Sequence, residues 1–360
     1  MKKKLSLLLA AAMMCSMLGA CGQKTPDPET TQPETPPTSG TVTTPENSGT
    51  PETTPDLAED NRPDVNLIVL SGPTGVGAAK LIADDEAGTT KNDYNVTVAA
   101  ANDEVMAELV KPEGGANIAA VATNVAASLS AKTDGNIQVL AVNTLGVLYI
   151  LEKGDTIHAI SDLAGETLYA TGQGANPEYA LNHLLRENGV EPTDVDIQWL
   201  TPQEITAKMM SEESGICMLP VPAATGLMMQ DSNVREAISL SDAWDDLGKG
   251  ALAQGCVVVR KDFAEANPEV VADFMEEYKA SIAYMNDEAN LTDAAALVAK
   301  YAITANEKIA AKAIPQCNLT YVDGSEMRDM LEQYYQVLFD ANPASIGNTM
   351  PYDSFYYGAN

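Results

Sequence analysis

Short apolar runs alternate with segments of helical period along most of the chain beyond residue 64. Residues 66–71 form an apolar run short enough for one buried strand, and it breaks at Ser71-Gly72-Pro73-Thr74-Gly75. A helix of small residues is predicted next, from about Val76 to Ala83. Residues 94–99 predict a second strand, 102–111 a helix closed by Pro112-Glu113-Gly114-Gly115, and 117–122 a third strand. That strand also breaks at a polar pair, Thr123-Asn124, before a helix reaching Lys132. The β-α-β-α-β-α order predicts a parallel sheet with right-handed crossovers.

Two apolar runs, 137–144 and 146–151, then stand almost back to back, so that one strand leaves the first α/β set and the next opens another. The second set reads as strand 166–170, the turn Thr171-Gly172-Gln173-Gly174-Ala175, helix 177–187, strand 195–200, helix 202–211, strand 216–219 and a segment opened by Pro220-Val221-Pro222. Residues 254–260 read as a return strand, and everything after them as helical. Val270, Val271, Phe274, Met275, Tyr278 and Ile282 recur at helical spacing, as do Met327, Met330, Leu331, Tyr334, Tyr335 and Leu338. Both stripes are assigned to core packing.

Ahead of these sets the pattern changes twice. Lys2, Lys3 and Lys4 precede an apolar run over 5–18 that is too short to span a bilayer, which marks residues 1–20 as a secretory signal. Leu18-Gly19-Ala20-Cys21-Gly22 resembles a bacterial lipobox, and that resemblance makes Cys21 the lipid-bearing first residue of the mature chain. From 23 to 63 the chain is Thr, Pro, Glu, Ser and Gly with almost nothing apolar, too little to offset the entropy of ordering. Residues 21–63 are therefore expected to be a lipidated cysteine and a disordered tether, holding the working part near the membrane surface.

Composition narrows the function further. A folded part of roughly 300 residues is the size at which one core splits in two. The formal net charge of the 360 residues is -30, and the clustered lysines lie in the leader, so the positive footprint that nucleic acid requires is missing. Cys217, Cys256 and Cys317 are odd in number and far apart, which reads as buried thiols and not as a disulfide framework or a metal knuckle.

The segments 72–75, 117–124 and 136–142, together with Ile160-Ser161-Asp162-Leu163-Ala164-Gly165-Glu166-Thr167-Leu168-Tyr169, carry a family resemblance in their order. With the lipobox, the two α/β sets and the double crossover, they resemble the solute-binding lipoproteins of ABC transporters. Within these they are most similar to the branch of nitrate, sulfonate and taurine binders and thiamine-pyrimidine-precursor binders. Ala164 and Glu166 depart from it, since lysines are usual there. The resemblance implies an α/β, type II periplasmic-binding-protein fold: two α/β lobes joined by two crossover strands, with the C-terminal helices on lobe 1. Lobe 1 is expected over 64–148 plus 255–360 and lobe 2 over 149–254. The implied protein is a monomer on the extracytoplasmic face of the cell membrane, held by lipidated Cys21. It would close on a small-molecule solute and deliver it to an ABC permease, with no enzymatic activity and no cofactor.

Other chemistry fits the residues poorly. In Gly72-Pro73-Thr74-Gly75-Val76-Gly77-Ala78 the lysine of a phosphate loop is missing, and neither Gly75-Val76-Gly77 nor Gly172-Gln173-Gly174 completes a dinucleotide fingerprint. His158 and His183 form no metal-ligand pair. Ser71 lacks the elbow of a nucleophilic serine. The candidate ligand contacts are the polar turns at strand ends: Ser71, Pro73 and Thr74; Thr123 and Asn124; Asn143 and Thr144; Thr171, Gln173 and Ala175; Pro220 and Val221. Their hydroxyls, amides and helix-start N–H groups would hold an oxygen-rich or heteroaromatic ligand; no arginine lies in these turns to clamp a sulfonate or phosphate, so the expected solute is neutral or weakly charged, such as a heterocycle stacking on Tyr149 or Tyr179. A ligand sensor and an enzyme on the same fold stand as alternatives, although the reactive lysine, histidine and cysteine-rich segment of the related pyrimidine synthases have no match here.

Overall fold

The computed structural model describes residues 61–248, 250–304 and 306–359; the signal segment, Cys21 and the tether lie outside the described residues. The first α/β set comprises β1 (Asp64–Leu70), α1 (Pro73–Val76), α2 (Ala79–Glu86), β2 (Asp93–Ala99), α3 (Asn102–Leu109), β3 (Ile118–Ala122), α4 (Thr123–Lys132) and β4 (Ile137–Thr144). The second comprises β5 (Leu148–Lys153), β6 (Thr167–Ala170), α5 (Asn176–Glu187), β7 (Asp196–Trp199), α6 (Pro202–Ser211), β8 (Gly215–Pro220), α7 (Ala223–Gln230), β9 (Val234–Ser239) and α8 (Leu240–Asp245). The chain returns through β10 (Gly255–Arg260) to α9 (Lys261–Ala266), α10 (Pro268–Asn286), α11 (Leu291–Lys300), α12 (Glu307–Ala313), β11 (Leu319–Asp323) and α13 (Gly324–Ala341).

These elements form two lobes, each on its own sheet, in the orders β11-β4-β10-β3-β1-β2 and β7-β6-β8-β5-β9. β1 pairs parallel with both β2 and β3, whereas β10 runs antiparallel between β3 and β4. The inner strands β1, β3, β4 and β10 of the first sheet are largely apolar on both sides because both faces are covered. Val65, Leu67 and Val69 of β1 share a core with Phe274, Tyr278 and Ile282 of α10, while Ile68 joins Leu331, Tyr335 and Leu338 of α13 on the opposite face. Both helical stripes are thus core. Residues 145–147 and 250–254 cross between the sheets, and they are stitched together where Gln254 Oε1 accepts the Val147 N–H at 2.8 Å. The last helices also reach the second lobe, α12 packing on α7 and α13 on α5.

Three local features differ from the sequence expectation. The helix expected over 76–83 is two, because buried Ser281 occupies the break: its hydroxyl accepts the Leu81 N–H at 2.9 Å and donates to the Gly77 carbonyl at 2.6 Å. Gly75 lies in the same tight passage, where a Cβ would stand 2.2 Å from the Leu70 carbonyl oxygen. The other two are edge strands, β9 and β11. Arg235 and Glu236 interrupt the apolar pattern of β9, and β11 buries only Leu319 among otherwise half-buried or exposed residues, so neither carries the continuous apolar run of an inner strand.

Candidate functional site

The carboxyl ends of the strands in the two sheets face one another across a cleft of about 850 Å³. The first lobe contributes Ser71, Gly72, Pro73 and Ala100 from strand ends, with Ile303, Thr304, Asn306 and Ile309 from the approach to and start of α12. Opposite stand Pro202, Gln203 and Thr206 of α6, then Pro220, Val221, Pro222, Ala223, Gly226 and Gln230 around α7. The Val221-Pro222 peptide is cis.

The Ser71–Gly75 turn is held by its own backbone. The Ser71 N–H donates to the Ala99 carbonyl at 2.8 Å and the Gly72 N–H to the Ile303 carbonyl at 2.9 Å. Gly72 adopts φ 90°, a conformation open to glycine at little cost, and this carries the chain from strand to helix within one residue. Both amides are therefore engaged inside the protein. For Ser71 and Gly72 this differs from the expectation of a turn whose N–H groups point at ligand.

Ser71, Pro73, Pro220 and Val221 thus come together at the cleft, while the other candidate contacts do not line it. Asn143 and Thr144 are buried behind the first turn: Asn143 Nδ2 donates to the Thr74 carbonyl at 3.0 Å and to Tyr278 Oη at 2.8 Å, and its Oδ1 accepts from the Thr144 hydroxyl at 3.0 Å. Thr74 is tied into this network through its backbone. The Thr123 hydroxyl donates to the Ala253 carbonyl at 2.7 Å, and its own carbonyl accepts from Tyr335 Oη at 2.9 Å, so it secures a crossover strand. Asn124, one residue on, is buried at the start of α4.

Thr171, Gln173 and Ala175 sit at the start of α5, where Glu178 accepts the Gly174 N–H at 2.6 Å and Tyr179 Oη donates to the Gly174 carbonyl at 3.0 Å. Asn342 Nδ2 in turn donates to Tyr179 Oη at 3.3 Å, which ties this turn to the end of α13. The wall facing Ser71 is instead the start of α6 and the segment after β8. A signal for the former was present in Thr201-Pro202-Gln203-Glu204, a capping box at a strand end. Ile303, Thr304, Asn306 and Ile309 had none, because they are far from any strand terminus in sequence.

Among the described residues, no side chain lining the cleft is charged or aromatic. Two features set its electrostatics from just outside. Glu204 accepts from the Thr201 N–H at 2.9 Å and the Thr201 hydroxyl at 2.8 Å, bonds that hold its carboxyl below the usual range. At the start of α12, Asn306 Oδ1 accepts the Lys308 and Ile309 N–H groups at 2.8 and 3.3 Å. Thr304 is buried, and its hydroxyl has no hydrogen-bond partner. Tyr149, a candidate stacking ring, lies outside the cleft; its hydroxyl donates to the Gln316 carbonyl at 3.4 Å, and burial pushes its pKa up to about 12. Cys217, Cys256 and Cys317 are free and buried, and desolvation raises all three thiols. Among the described residues no group of acidic, histidine and cysteine side chains is placed to hold a metal ion, and no helix is long and apolar enough to cross a membrane.

Comparison with solved structures places this architecture. An ABC transporter protein from Parabacteroides distasonis superposes with a TM-score of 0.68 at 21% identity, over 81% of this chain and 98% of that one. The periplasmic aliphatic sulphonate binding protein SsuA from Escherichia coli gives a TM-score of 0.66 at 16% identity, over 82% and 92%. The periplasmic nitrate-binding protein NrtA from Synechocystis PCC 6803 gives 0.50 at 15% identity, over 70% and 69%. These likenesses establish the two-lobed periplasmic-binding-protein fold. No curated protein sequence matches the chain. The model of the family described as NMT1/THI5 like matches residues 91–290, more than half of the 360 residues, with both crossovers inside the match. The chain belongs to the NMT1/THI5-like family.

Proposed function

We propose that this protein captures a small solute between its lobes outside the cytoplasm and delivers it to an ABC permease. The observation that carries the reading is the cleft of about 850 Å³ walled by both lobes, a volume suited to a small organic ligand. Similar folds include proteins whose names describe them as binding sulphonate or nitrate and as the ligand-binding component of an ABC-type import system. The working unit is taken as lobe 1 over 64–148 plus 255–360 and lobe 2 over 149–254, closing as a monomer. Ser71, Pro73, Pro220 and Val221 touch the solute; Thr74, Thr123, Asn124, Asn143, Thr144, Thr171, Gln173 and Ala175 act by setting the turns and crossovers around it. The protein holds its solute and does not transform it, since the cleft lining supplies no acid, base or nucleophile of ordinary strength. Cleavage before Cys21 and lipidation there anchor the chain to the membrane.

Two measurements test this. Native mass spectrometry of the chain beginning after Cys21, with a thermal-shift screen of small solutes, should reveal a copurifying or stabilising ligand. No ligand in either would remove the main support, and turnover of a bound compound would make the protein an enzyme. In the producing cell, Cys21→Ser should move the protein from the membrane to the soluble fraction; retention at the membrane would refute the anchor.

A further inference from the structure

α6 and α7 both start at the cleft wall, and they start differently. α6 supplies its own cap: the Glu204 N–H donates to the Thr201 hydroxyl at 3.3 Å, and the Glu204 carboxylate accepts the Thr201 N–H at 2.9 Å. α7 has no such provision. Pro222 stands at its cap position, where the ring carries no acceptor, and the first turn holds no acidic residue. The first bond of the helix runs from the Gly226 N–H to the Pro222 carbonyl at 2.9 Å. The N–H groups of Ala223, Ala224 and Thr225 precede it, and they make no hydrogen bond among the described residues. The Thr225 hydroxyl is directed elsewhere, to Gln316 Oε1 at 2.9 Å.

A second group without a partner lies on the other lobe. Thr304 lines the same cleft, keeps only 7% of its surface exposed, and has a hydroxyl that bonds to nothing. Its backbone is fixed: the Thr304 and Ile303 N–H groups both donate to the Val298 carbonyl, at 3.1 and 2.9 Å, and the Ile303 carbonyl accepts the Gly72 N–H at 2.9 Å. A hydroxyl held this firmly and left unmet lowers stability, and a bound acceptor removes that cost. The two features are neighbours. α12 packs on α7, where Ile309 Cδ1 would stand 3.6 Å from a Cβ added at Gly226, and Ile303 joins Val221 and Ala224 in one core. Thr304 lies between these two contacts in sequence. The Ser71 hydroxyl and Asn306 Nδ2 add donors to the same lining.

We propose that the start of α7 and Thr304 form one subsite, which takes an oxygen-acceptor head group of the solute, a carboxylate or sulfonate, between the two lobes, and that Thr304 is the residue that selects it. Backbone N–H groups only donate, and the positive end of the helix favours negative charge, so the subsite needs no arginine or lysine. The net charge of -30 opposes an anion, but that field is screened over about 10 Å in 0.1 M salt, whereas the subsite acts at contact distance. Pro73, Val221 and Ile309 leave an aliphatic surface for the rest of the molecule. This rests on the proposed capture of a solute in the same cleft, and adds to it a head group and the place where it is held.

Hexanoate and hexane-1-sulfonate share their tail with hexan-1-ol, which lacks the head group, and all three can be titrated by calorimetry into the chain beginning after Cys21. Both anions should bind about tenfold more tightly than the alcohol. Equal or tighter binding of hexan-1-ol, or no binding of either anion at a Kd of about 10 mM or tighter, would overturn the subsite, with solute capture then judged by the copurifying ligand. Thr304→Val removes an unmet hydroxyl at little change in volume, so it should raise the melting temperature of the free protein by about 2 °C while weakening both anions about tenfold. Ala223→Asp sets a carboxylate at the start of α7 and should hold or raise the melting temperature while weakening the anions by about tenfold. A purely structural Thr304 would instead give a valine variant of lower melting temperature and unaltered affinity. Unchanged affinity in either folded variant would overturn the proposal.

Discussion

The Thr225 hydroxyl, on α7 of the second lobe, donates a 2.9 Å hydrogen bond to Gln316 Oε1 on the first lobe. The same glutamine accepts through its carbonyl from Tyr149 Oη, and Asn342 on α13 reaches Tyr179 on α5, so side chains bridge the lobes at more than one place. These bonds help to hold the lobes in the arrangement seen here before any solute contributes. Thr225 is buried, and Thr225→Val removes the donor at little change in volume. Loss of about 1 kcal/mol of net hydrogen bonding should move the balance away from this arrangement of the lobes by about fivefold. Small-angle scattering should report a changed radius of gyration for the ligand-free variant; identical curves would show that this bond does not govern the arrangement of the lobes.

Gly226 is a buried helical glycine on the cleft wall, and an added Cβ would meet only Ile309 Cδ1, at 3.6 Å. Gly226→Ala should therefore stabilise the protein by about 1 kcal/mol through helix propensity. Gly226→Leu extends a side chain into the space meant for solute. It should keep the melting temperature of the free protein at or above that of the wild type while abolishing the ligand-induced shift. A retained shift would place the ligand elsewhere.

Removing the Asn143 amide leaves the Thr74 carbonyl and Tyr278 Oη without the partner that joins them. Asn143→Leu should cost about 2–3 kcal/mol in urea denaturation, since buried polar groups lose their bonds without regaining water. Thr144→Val should cost less, because the hydroxyl it removes bonds to Asn143 next in sequence. Equal losses would mean that packing and not this network sets the stability of the turn.

Glu152 is a buried carboxylate on β5 that accepts from the Thr156 N–H and hydroxyl at 2.8 and 2.7 Å, from the Ile157 N–H at 3.1 Å and from the Arg235 guanidinium. Burial alone would raise its pKa, yet the Thr156 and Ile157 bonds and the Arg235 charge outweigh that and hold it below the usual value. With the folded pKa depressed, the unfolded chain binds the proton more readily, so this stabilisation is complete above about pH 4.3 and is lost as pH falls through the folded value. Glu152→Gln should flatten the dependence of melting temperature on pH in that acid range. An unchanged slope would assign the acid sensitivity to other carboxylates.

Most inner strands were legible because their burial on both faces leaves a continuous apolar run, as in 66–71 and 137–144. The edge strands β9 and β11 were not, since a strand covered on fewer sides tolerates Arg235, Glu236 and Asp323 and loses its pattern. The candidate site was legible in part for a related reason. Strand-end turns nominated Ser71, Pro73, Pro220 and Val221, which line the cleft, but polar character by itself does not distinguish a residue facing solute from one bonded inward. Asn143, Thr144 and Thr123 have the side chains of ligand contacts and the hydrogen bonds of a scaffold.

The amino-acid sequence by itself determined the alternation of elements, the double crossover and the two helical stripes, because these follow from period and burial along a single segment. Only the tertiary structure decided which turn faces which, that Ile303 and Thr304 close the cleft from distant sequence, and that the amides of Ser71 and Gly72 are already engaged. The physical reason is that a hydrogen bond between residues far apart, such as Gly72 to Ile303, leaves no trace in the local pattern of either.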